Sequence, residues 1–335
     1  MIGVVFLRQI ATRQITKFSH SNTEFSMMKK FLPLLILTLF SAIAMSQPSA
    51  VGKTTFDKKL TKKIAKAMEG FHGNAGVYIR NLKTNRIAAV NADSIFPTAS
   101  MVKVPIMCGI FDKLDKGEIK FDQELMYRDS LKYDNGIVGS FRDSTKIQLP
   151  KVIHLMISMS DNTGSLWLQA MAGGGAAIND WLDKNGFANT RVNSRTPGRK
   201  QGQATYGWGQ TTPREMAELV TMIRNGNAVS PEASDRMYRY LGMQFWDGEA
   251  ISQIPPYVKT AAKSGAVNQA KSEALIVHAP HGDYVFCITT KNQQDQQWSK
   301  DNEGYALIRK ISKIVWNHFE PKSKWKSAEP GKYWF

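Results

Sequence analysis

The sequence predicts an α+β fold, in which an antiparallel sheet covered by terminal helices carries an inserted all-helical part. Two strand-like segments, at residues 75–80 and 86–90, precede the middle of the chain, and three more follow it at 258–267, 274–279 and 284–290. Between these two groups the apolar residues recur with helical spacing. Strands from both ends of the chain therefore pair around a helical insertion.

Apolar periodicity places the individual helices. In the first, at residues 56–68, Leu60, Ile64 and Met68 are spaced by four and form one apolar face. Three prolines in the middle of the chain stand where a first-turn proline is favoured. The helices predicted there span residues 101–116, 150–159, 163–171, 176–184, 213–225 and 231–243, and a last helix spans residues 302–318.

Residues 28–46 have the pattern of a secretory signal peptide. Met28-Lys29-Lys30 is followed by the apolar run FLPLLILTLFSAIA and then by small residues, which predicts cleavage near Ala44 or Ser46. The run is too short for a transmembrane helix, so we expect a periplasmic or secreted protein with no stable membrane anchor after cleavage. Residues 1–26 precede this pattern, which predicts a translation start at Met27 or Met28; an organellar transit peptide is the alternative.

Composition excludes several classes of function. The formal charge is +16, and removal of residues 1–46 leaves +12. This charge serves solubility or attracts the protein to an anionic envelope. No nucleic-acid-binding motif accompanies it, so nucleic acid is not an expected partner. Cys108 and Cys287 are predicted as buried apolar side chains, with a disulfide as the alternative. His278 and His281 flank a predicted hairpin turn and do not predict a metal site.

The run FPTASMVKVPIM places Ser100 and Lys103 one helical turn apart at the start of an apolar helix. A hydroxyl beside an amine is a nucleophile beside a potential base. The same spacing at Ser26 and Ser323 falls in the targeting segment and in the tail, where no site is expected. Ser160-Asp161-Asn162 follows Ser100 after 60 residues, and Lys263-Ser264-Gly265 follows Ser160 after 103 more.

These three motifs, in this order and spacing, resemble the active-site-serine penicillin-recognising hydrolases, and among them the class A β-lactamases. The resemblance covers residues 53–319 and implies a β-lactamase-like fold with its cleft between two parts. The expected parts are a sheet domain at residues 53–93 and 250–319 and a helical domain at 94–249. Residues 1–46 are the upstream segment and signal peptide, and residues 320–335 form a basic aromatic tail.

The resemblance also implies a role for each motif residue. Ser100 is the expected nucleophile and Lys103 its base, with Lys263 as the second cation that lowers the pKa of Lys103. Ser160 relays a proton to the leaving nitrogen, while Asp161 braces its loop. The expected substrate contacts are the Asn162 amide on a substrate amide, Lys263 and Ser264 on a carboxylate, Gly265 beside the acyl chain, and an oxyanion hole of the backbone N–H groups of Ser100 and Ala266. No cofactor or metal is implied.

One position departs from the class A pattern. Those enzymes carry a water-activating glutamate in a Glu-Pro dipeptide, and Thr196 followed by Pro197 stands at that spacing here. The position of Thr212-Pro213 supports the register, and residues 184–214 contain no Asp or Glu at all. Loss of such a base typically slows the step it serves by about 10²–10⁴-fold. We therefore expect acylation to be intact and deacylation to be slow.

Three functions remain open from the sequence. The first is a β-lactamase-family serine hydrolase that acylates on a β-lactam or a related cell-wall acyl donor. The second is a D-alanyl-D-alanine peptidase or esterase on the same scaffold. The third is a non-catalytic envelope-binding protein, which the paired nucleophile and base disfavour. In the first two the partner is a small-molecule β-lactam or a peptidoglycan-type peptide, and the protein is expected to be a monomer.

Overall fold

The computed structural model describes residues 54–327, in which eleven strands form three sheets. The main sheet has six strands in the order β1-β3-β2-β11-β10-β9, so strands from both ends of the chain lie side by side as predicted. The strands are β1 Thr55–Phe56, β2 Asn74–Asn81, β3 Arg86–Val90, β4 Phe96–Pro97, β5 Glu124–Met126, β6 Lys146–Gln148, β7 Arg191–Val192, β8 Gly209–Thr211, β9 Thr260–Val267, β10 Ala270–Val277 and β11 Tyr284–Lys291.

The main sheet is antiparallel except at one edge. Adjacent long strands pair in antiparallel register, including Lys263 with Ala274 and Cys287 with Tyr78. The two-residue strand β1 runs parallel to β3, with Thr55 opposite Arg86. The opposite edge strand is β9, which carries the Lys-Ser-Gly motif and leaves one side of its backbone unpaired with any other strand in the described sheet.

Nine α-helices fall within residues 54–327, and their order confirms the predicted α+β arrangement. Most bounds lie within two residues of the predicted ones. The helix Lys200–Tyr206 was missed because it buries no side chain and so has no apolar face to detect. The helices are α1 Lys58–Met68, α2 Lys103–Asp115, α3 Leu149–Ser158, α4 Asn162–Met171, α5 Gly174–Lys184, α6 Lys200–Tyr206, α7 Pro213–Arg224, α8 Pro231–Leu241 and α9 Glu303–Phe319.

Apolar side chains cover both faces of the main sheet, and alternation along each strand divides them. On β10, Leu275 and Val277 join a cluster with Leu60 of α1 and Ile311 of α9. Ala274 and Ile276 face the opposite way and join the cluster of the inserted helices. Each buried Leu or Ile contributes roughly 1.5–3 kcal/mol, so the two clusters hold the sheet between the terminal helices and the insertion. Cys108 and Cys287 are both buried, with free thiols.

Two predicted segments lie outside the described residues: the upstream segment and signal peptide at 1–46, and residues 328–335 of the tail. Among the described residues, none of the helices combines the length and the apolar character required to cross a membrane. The division into a sheet domain at 53–93 and 250–319 and a helical domain at 94–249 stays a prediction.

Candidate active site

Ser100 lies on a tight turn that leads into α2. The 3₁₀ turn Ala99–Val102 precedes the helix, and Ala99 has a φ of +44°, in the left-handed region. Such a conformation costs a non-glycine residue about 1–3 kcal/mol and persists only where its surroundings enforce it. Here the Thr98 N–H donates to Gly209 O at 2.9 Å, and Met101 N–H donates to Thr98 O at 3.0 Å. The turn therefore fixes the backbone from which the Ser100 side chain projects.

Lys103, the first residue of α2, connects the serine motifs. Its side chain is fully buried. The amine nitrogen Nζ lies 3.0 Å from Ser100 Oγ and 3.0 Å from Ser160 Oγ, and it contacts Ser160 O at 2.6 Å and Asn162 Oδ1 at 2.8 Å. The two motifs, separated by 60 residues, thus meet at one nitrogen atom.

The environment of Lys103 disfavours its charged form. Burial lowers the pKa of Lys103 well below its usual value, and the charge of Lys263 lowers that pKa further. Asp161 and Asp134 act in the opposite direction. A neutral amine accepts a proton, so the geometry and the lowered pKa are those that the predicted base for the Ser100 hydroxyl requires.

The Ser-Asp-Asn loop is braced by its own carboxylate. Ser160 has a φ of +59°, and Asp161 caps α4 by accepting from Gly164 N–H at 2.7 Å through Oδ1. Its Oδ2 accepts from Val138 N–H at 2.9 Å. The predicted structural role of Asp161 is therefore confirmed.

Asn162 has a partner that the sequence analysis missed. Its Nδ2 donates to Asp134 Oδ2 at 2.7 Å, while its Oδ1 accepts from Lys103. The amide orientation is fixed from both sides, and one N–H of the amide has no further hydrogen bond in the described structure. The signal for Asp134 was its place in an Asp-Asn-Gly turn, where the Gly136 N–H donates to Asp134 Oδ1 at 3.1 Å.

Lys263 is buried on the edge strand β9, and its Nζ donates to Ser264 O at 2.8 Å. Burial lowers the pKa of Lys263 to about 7, although Glu273 raises it. Ser264 is half-buried and accepts from Gln244 Nε2 at 2.9 Å through its hydroxyl oxygen. Gln244 follows a helix and belongs to no motif, so it could not be predicted from the sequence.

Gly265 is required by a close backbone approach. A Cβ at this position would lie 2.6 Å from Thr98 O and 2.8 Å from both Ser100 N and Ser272 Oγ. The close neighbour of Gly265 is thus the turn that carries Ser100, which the sequence analysis did not foresee. The predicted approach of an acyl chain to this residue stays a prediction.

The backbone of Ala266 faces outward from the sheet. Lys271 is opposite Ala266 in the register. Its N–H donates to Thr290 Oγ1 on β11 at 2.8 Å, and the Thr290 hydroxyl donates to Lys271 O at 3.1 Å, so both backbone groups of Lys271 point toward β11. In an antiparallel ladder both groups of a residue point to the same neighbour, so Lys271 and Ala266 are a non-hydrogen-bonded pair. The Ala266 N–H consequently points away from β10. This direction favours the predicted oxyanion hole of the Ser100 and Ala266 N–H groups.

A buried carboxyl group lies on β10, the strand that pairs with β9. Glu273 on β10 is opposite Ser264 and fully buried; Oε2 accepts from Ala250 N–H at 2.7 Å, while Oε1 has no partner among the described residues. Burial raises the pKa of Glu273 to about 8, against the hydrogen bond from Ala250. Burial likewise raises the pKa of nearby Glu249 to about 7, although it pairs with Arg309 at 2.9 Å.

Thr196 is buried and turned toward its own loop. Its hydroxyl donates to Ser194 O at 3.0 Å. A Cβ on Gly175 would lie 1.8 Å from Thr196 Oγ1, so the threonine side chain fills the space that this glycine leaves. The preceding Arg195 has a φ of +51°.

In the described part of the chain, no group of three or more His, Cys, Asp or Glu side chains is placed to hold a metal ion.

We expect Gly265→Ala to lower stability by about 1–3 kcal/mol, because the new methyl group meets backbone atoms that cannot turn away. Displacement of the Ser100 turn should also slow labelling of Ser100 by a fluorescent penicillin. Urea unfolding and labelling rates measure the two effects. Gly242→Ala is the control, since a Cβ there has its nearest atom at 3.4 Å and its φ is −72°. Equal behaviour of the two variants would contradict the close contact.

Glu273 is expected to make the folded protein less stable as the pH rises. The unfolded chain releases this proton near the ordinary value of 4.5, whereas the folded protein holds it until about pH 8. The free energy of unfolding should therefore decrease between these values. Glu273→Gln replaces the titrating carboxyl group with a neutral amide. The free energy of unfolding of the variant, measured relative to that of wild type, should therefore increase by at least about 1 kcal/mol between pH 5 and pH 9.

The measurement is urea unfolding of both proteins at pH 5, 7 and 9. Lys263 changes stability in the opposite direction above about pH 7, and Lys103, whose pKa is also lowered, acts in the same direction as Lys263. Both lysines are present in both proteins. Loss of the Glu273 charge, which raises the pKa of Lys263, adds to the expected gain of the variant. Glu69→Gln removes an exposed carboxyl group as the control. Parallel pH curves for wild type and Glu273→Gln would contradict a buried, protonated Glu273.

Comparisons with known proteins agree with this geometry. The profile of the β-lactamase enzyme family matches residues 59–319. The β-lactamase VEB-1 of Pseudomonas aeruginosa is 24% identical over 302 residues, which cover 87% of this chain and 98% of VEB-1. The structure of PBP-A is similar with a TM-score of 0.71 and 26% identity, covering 80% of this chain and 98% of PBP-A. An ancestral class A β-lactamase has the same fold, with a TM-score of 0.68 and 21% identity over 78% of this chain and the whole of that chain (100%). With nearly all of the described residues matched and the serine, lysine and Ser-Asp-Asn groups in contact, the chain belongs to the β-lactamase enzyme family and is a serine hydrolase of the β-lactamase type.

Proposed function

We propose that the protein forms an acyl-enzyme on Ser100 with a β-lactam or a related cell-wall acyl donor, and that it releases the acyl group slowly. The observation that carries the proposal is the contact of 3.0 Å between the buried Lys103 amine and Ser100 Oγ. A non-catalytic binding protein has no need of a buried amine against a hydroxyl, because burial of an amine is costly.

Acylation can be followed from the contacts at the site. Neutral Lys103 takes the hydroxyl proton as Ser100 Oγ bonds to the carbonyl carbon, and the negative charge moves to the carbonyl oxygen. The N–H groups of Ser100 and Ala266 stabilise that oxygen, each donor being worth about 3–4 kcal/mol. When the carbon–nitrogen bond breaks, the proton returns from Lys103 through the Ser160 hydroxyl, which lies 3.0 Å from Nζ, to the leaving nitrogen.

Deacylation requires a water molecule and a base to activate it. Residues 184–214 contain no carboxylate, and the Thr196 hydroxyl is already donated to Ser194 O. A threonine hydroxyl does not act as a base near neutral pH. The Thr196 side chain already fills the space beside Gly175, so a longer side chain at position 196 would have to take another position. Thr196→Glu alone is therefore not expected to restore rapid release.

A structural relative supports the acylation step. A single-site mutant of PBP-A has been solved as an acyl-enzyme complex with penicillin G, and it is 26% identical to this chain with a TM-score of 0.71 over 79% of it. The absence of a carboxylate from the loop also favours a second candidate, a D-alanyl-D-alanine peptidase or esterase on the same scaffold. Both candidates share the acylation of Ser100 and differ in the acyl donor that is turned over.

We expect a burst of product equal to one acyl group per protein, followed by slow release, when the wild type reacts with a chromogenic cephalosporin. Stopped-flow absorbance and intact-mass decay measure the two phases, and a D-Ala-D-Ala peptide assayed in parallel separates the two candidates. Ser100→Ala should abolish the mass adduct while the protein remains folded. An adduct on another residue would contradict the nucleophile. Rapid turnover without an adduct would contradict slow deacylation.

We also propose that the protein is exported to the periplasm or the medium. The basic residues Lys29 and Lys30 before the apolar run at 31–44 support this proposal. The mature chain is expected to begin between Met45 and Gln47. N-terminal sequencing of the protein from its native envelope measures this directly. A cytoplasmic protein that retains residues 1–26 would contradict both the export and the start site.

A further inference from the structure

Residues 243–246, the segment that follows α8, connect the two sides of the site. The Phe245 N–H donates to Ser158 O at 3.2 Å, Trp246 Nε1 donates to Met159 O at 3.0 Å, and the Ser158 hydroxyl donates to Met243 O. Ser158 and Met159 directly precede Ser160. From the same segment, Gln244 reaches Ser264 on β9. The 243–246 segment is therefore bound both to the loop of the proton relay and to the strand of the expected carboxylate site.

Three apolar side chains of this segment are exposed although its backbone is held in place. Met243 is 53% exposed, Phe245 59% and Trp246 53%. The rings of Phe245 and Trp246 stand at 89° with centroids 5.2 Å apart, an edge-to-face pair. An isolated exposed apolar residue needs no explanation, but an aromatic pair held against Ser158 and Met159, next to Ser160, is an apolar surface suited to a ligand.

Gln244 constrains the hydroxyl group of Ser264. Its Nε2 donates into a lone pair of Ser264 Oγ, so the Ser264 O–H is left to donate elsewhere. The other end of the amide, Oε1, is buried with no partner among the described residues. A buried polar atom without a partner is destabilising. Gln244 thus keeps its contact with Ser264 at a cost in stability, as expected of a residue retained for function.

We infer that the 243–246 segment forms the subsite for the leaving group of the acyl donor, and that it selects a leaving group in which a carboxylate stands beside an apolar substituent. Gln244 is a positioning residue that directs the Ser264 hydroxyl toward the carboxylate. Phe245 and Trp246 contact the apolar substituent. This inference rests on the proposed acylation of Ser100, because Ser160 and Ser264 define the leaving-group side only in that reaction.

The aromatic surface is tested with two cephalosporins that share one acyl side chain and carry either a methyl or an aryl group next to the ring carboxylate. Trp246→Ala should lower the second-order acylation rate constant for the aryl compound about five- to tenfold more than for the methyl compound. Tyr257→Ala is the matched control, since Tyr257 is a 74% exposed aromatic residue of the same connection between α8 and β9. It should leave the aryl-to-methyl ratio unchanged.

An unchanged ratio in Trp246→Ala, with wild-type acylation intact, would overturn the inference alone. An equal change in Trp246→Ala and Tyr257→Ala would overturn it as well. Absence of any Ser100 adduct in the wild type would overturn the proposed function, and the inference with it. The two failures are therefore distinguishable in one set of measurements.

The positioning role of Gln244 is tested with Gln244→Glu, which keeps the shape but replaces the donor with an acceptor. The Ser264 hydroxyl then donates to the introduced carboxylate and is lost to the substrate. Acylation by a penicillin should fall about ten- to a hundredfold, because hydrogen bonds to charged groups are strong, whereas acylation by its carboxylate methyl ester should change less than about threefold. An equal loss with both compounds would overturn the positioning role.

Discussion

The site depends on one buried amine that is surrounded by oxygen atoms. Lys103 cannot reach water, so its amine must find all of its partners in the protein, and those partners are Ser100, Ser160 and Asn162. The left-handed conformation of Ser160 and the double brace of Asp161 both serve to bring these oxygens to the amine. No carboxylate of the described residues is hydrogen-bonded to the amine, so burial is the largest influence and lowers the pKa of Lys103, which favours the neutral state that a base requires.

The second constraint is the edge position of β9. An unpaired edge is usually a liability, because its free N–H and C=O groups attract other strands. Here the free edge carries groups of the site. The Ser264 carbonyl accepts from the Lys263 amine, and the Ala266 N–H points outward. Gly265 lets the Ser100 turn approach within a distance that no side chain would permit. The nucleophile and the outward N–H are thus placed by the same contact between strand and turn.

Much of this arrangement could be predicted from the sequence, because it is carried by local patterns. Alternation predicted the long strands, and three short motifs predicted Ser100, Lys103, Ser160 and Lys263 as site residues; the structure brings the first three together at one amine. The residues that were missed act through tertiary contacts with no local pattern. Gln244 and Glu273 are single polar residues whose partners lie at least 20 residues away in the chain. Helix α6 buries nothing, so its sequence has no periodicity to detect. Gly265 was predicted as a site residue, but its close neighbour, the Ser100 turn, could be found only in three dimensions.

The loop between α5 and α7 bears on the proposed slow release, because it is held together without a carboxylate. Its polar side chains bond to one another and to the body of the protein: Arg199 donates to Asn193 and Gln210, at 2.9 and 2.7 Å, and Gln169 donates to Ser194 O at 2.7 Å. A loop that satisfies its own polar groups is stable without a carboxylate. The hydrogen bonds of the Lys103 amine, by contrast, all go to Ser100, Ser160 and Asn162 outside this loop, and the loop contacts the Ser100 turn through the Gly209 carbonyl, which accepts from Thr98 N–H. In the proposed function, activation of the serine therefore uses hydrogen bonds to Lys103 that come from outside this loop, whereas activation of water would require a base within it.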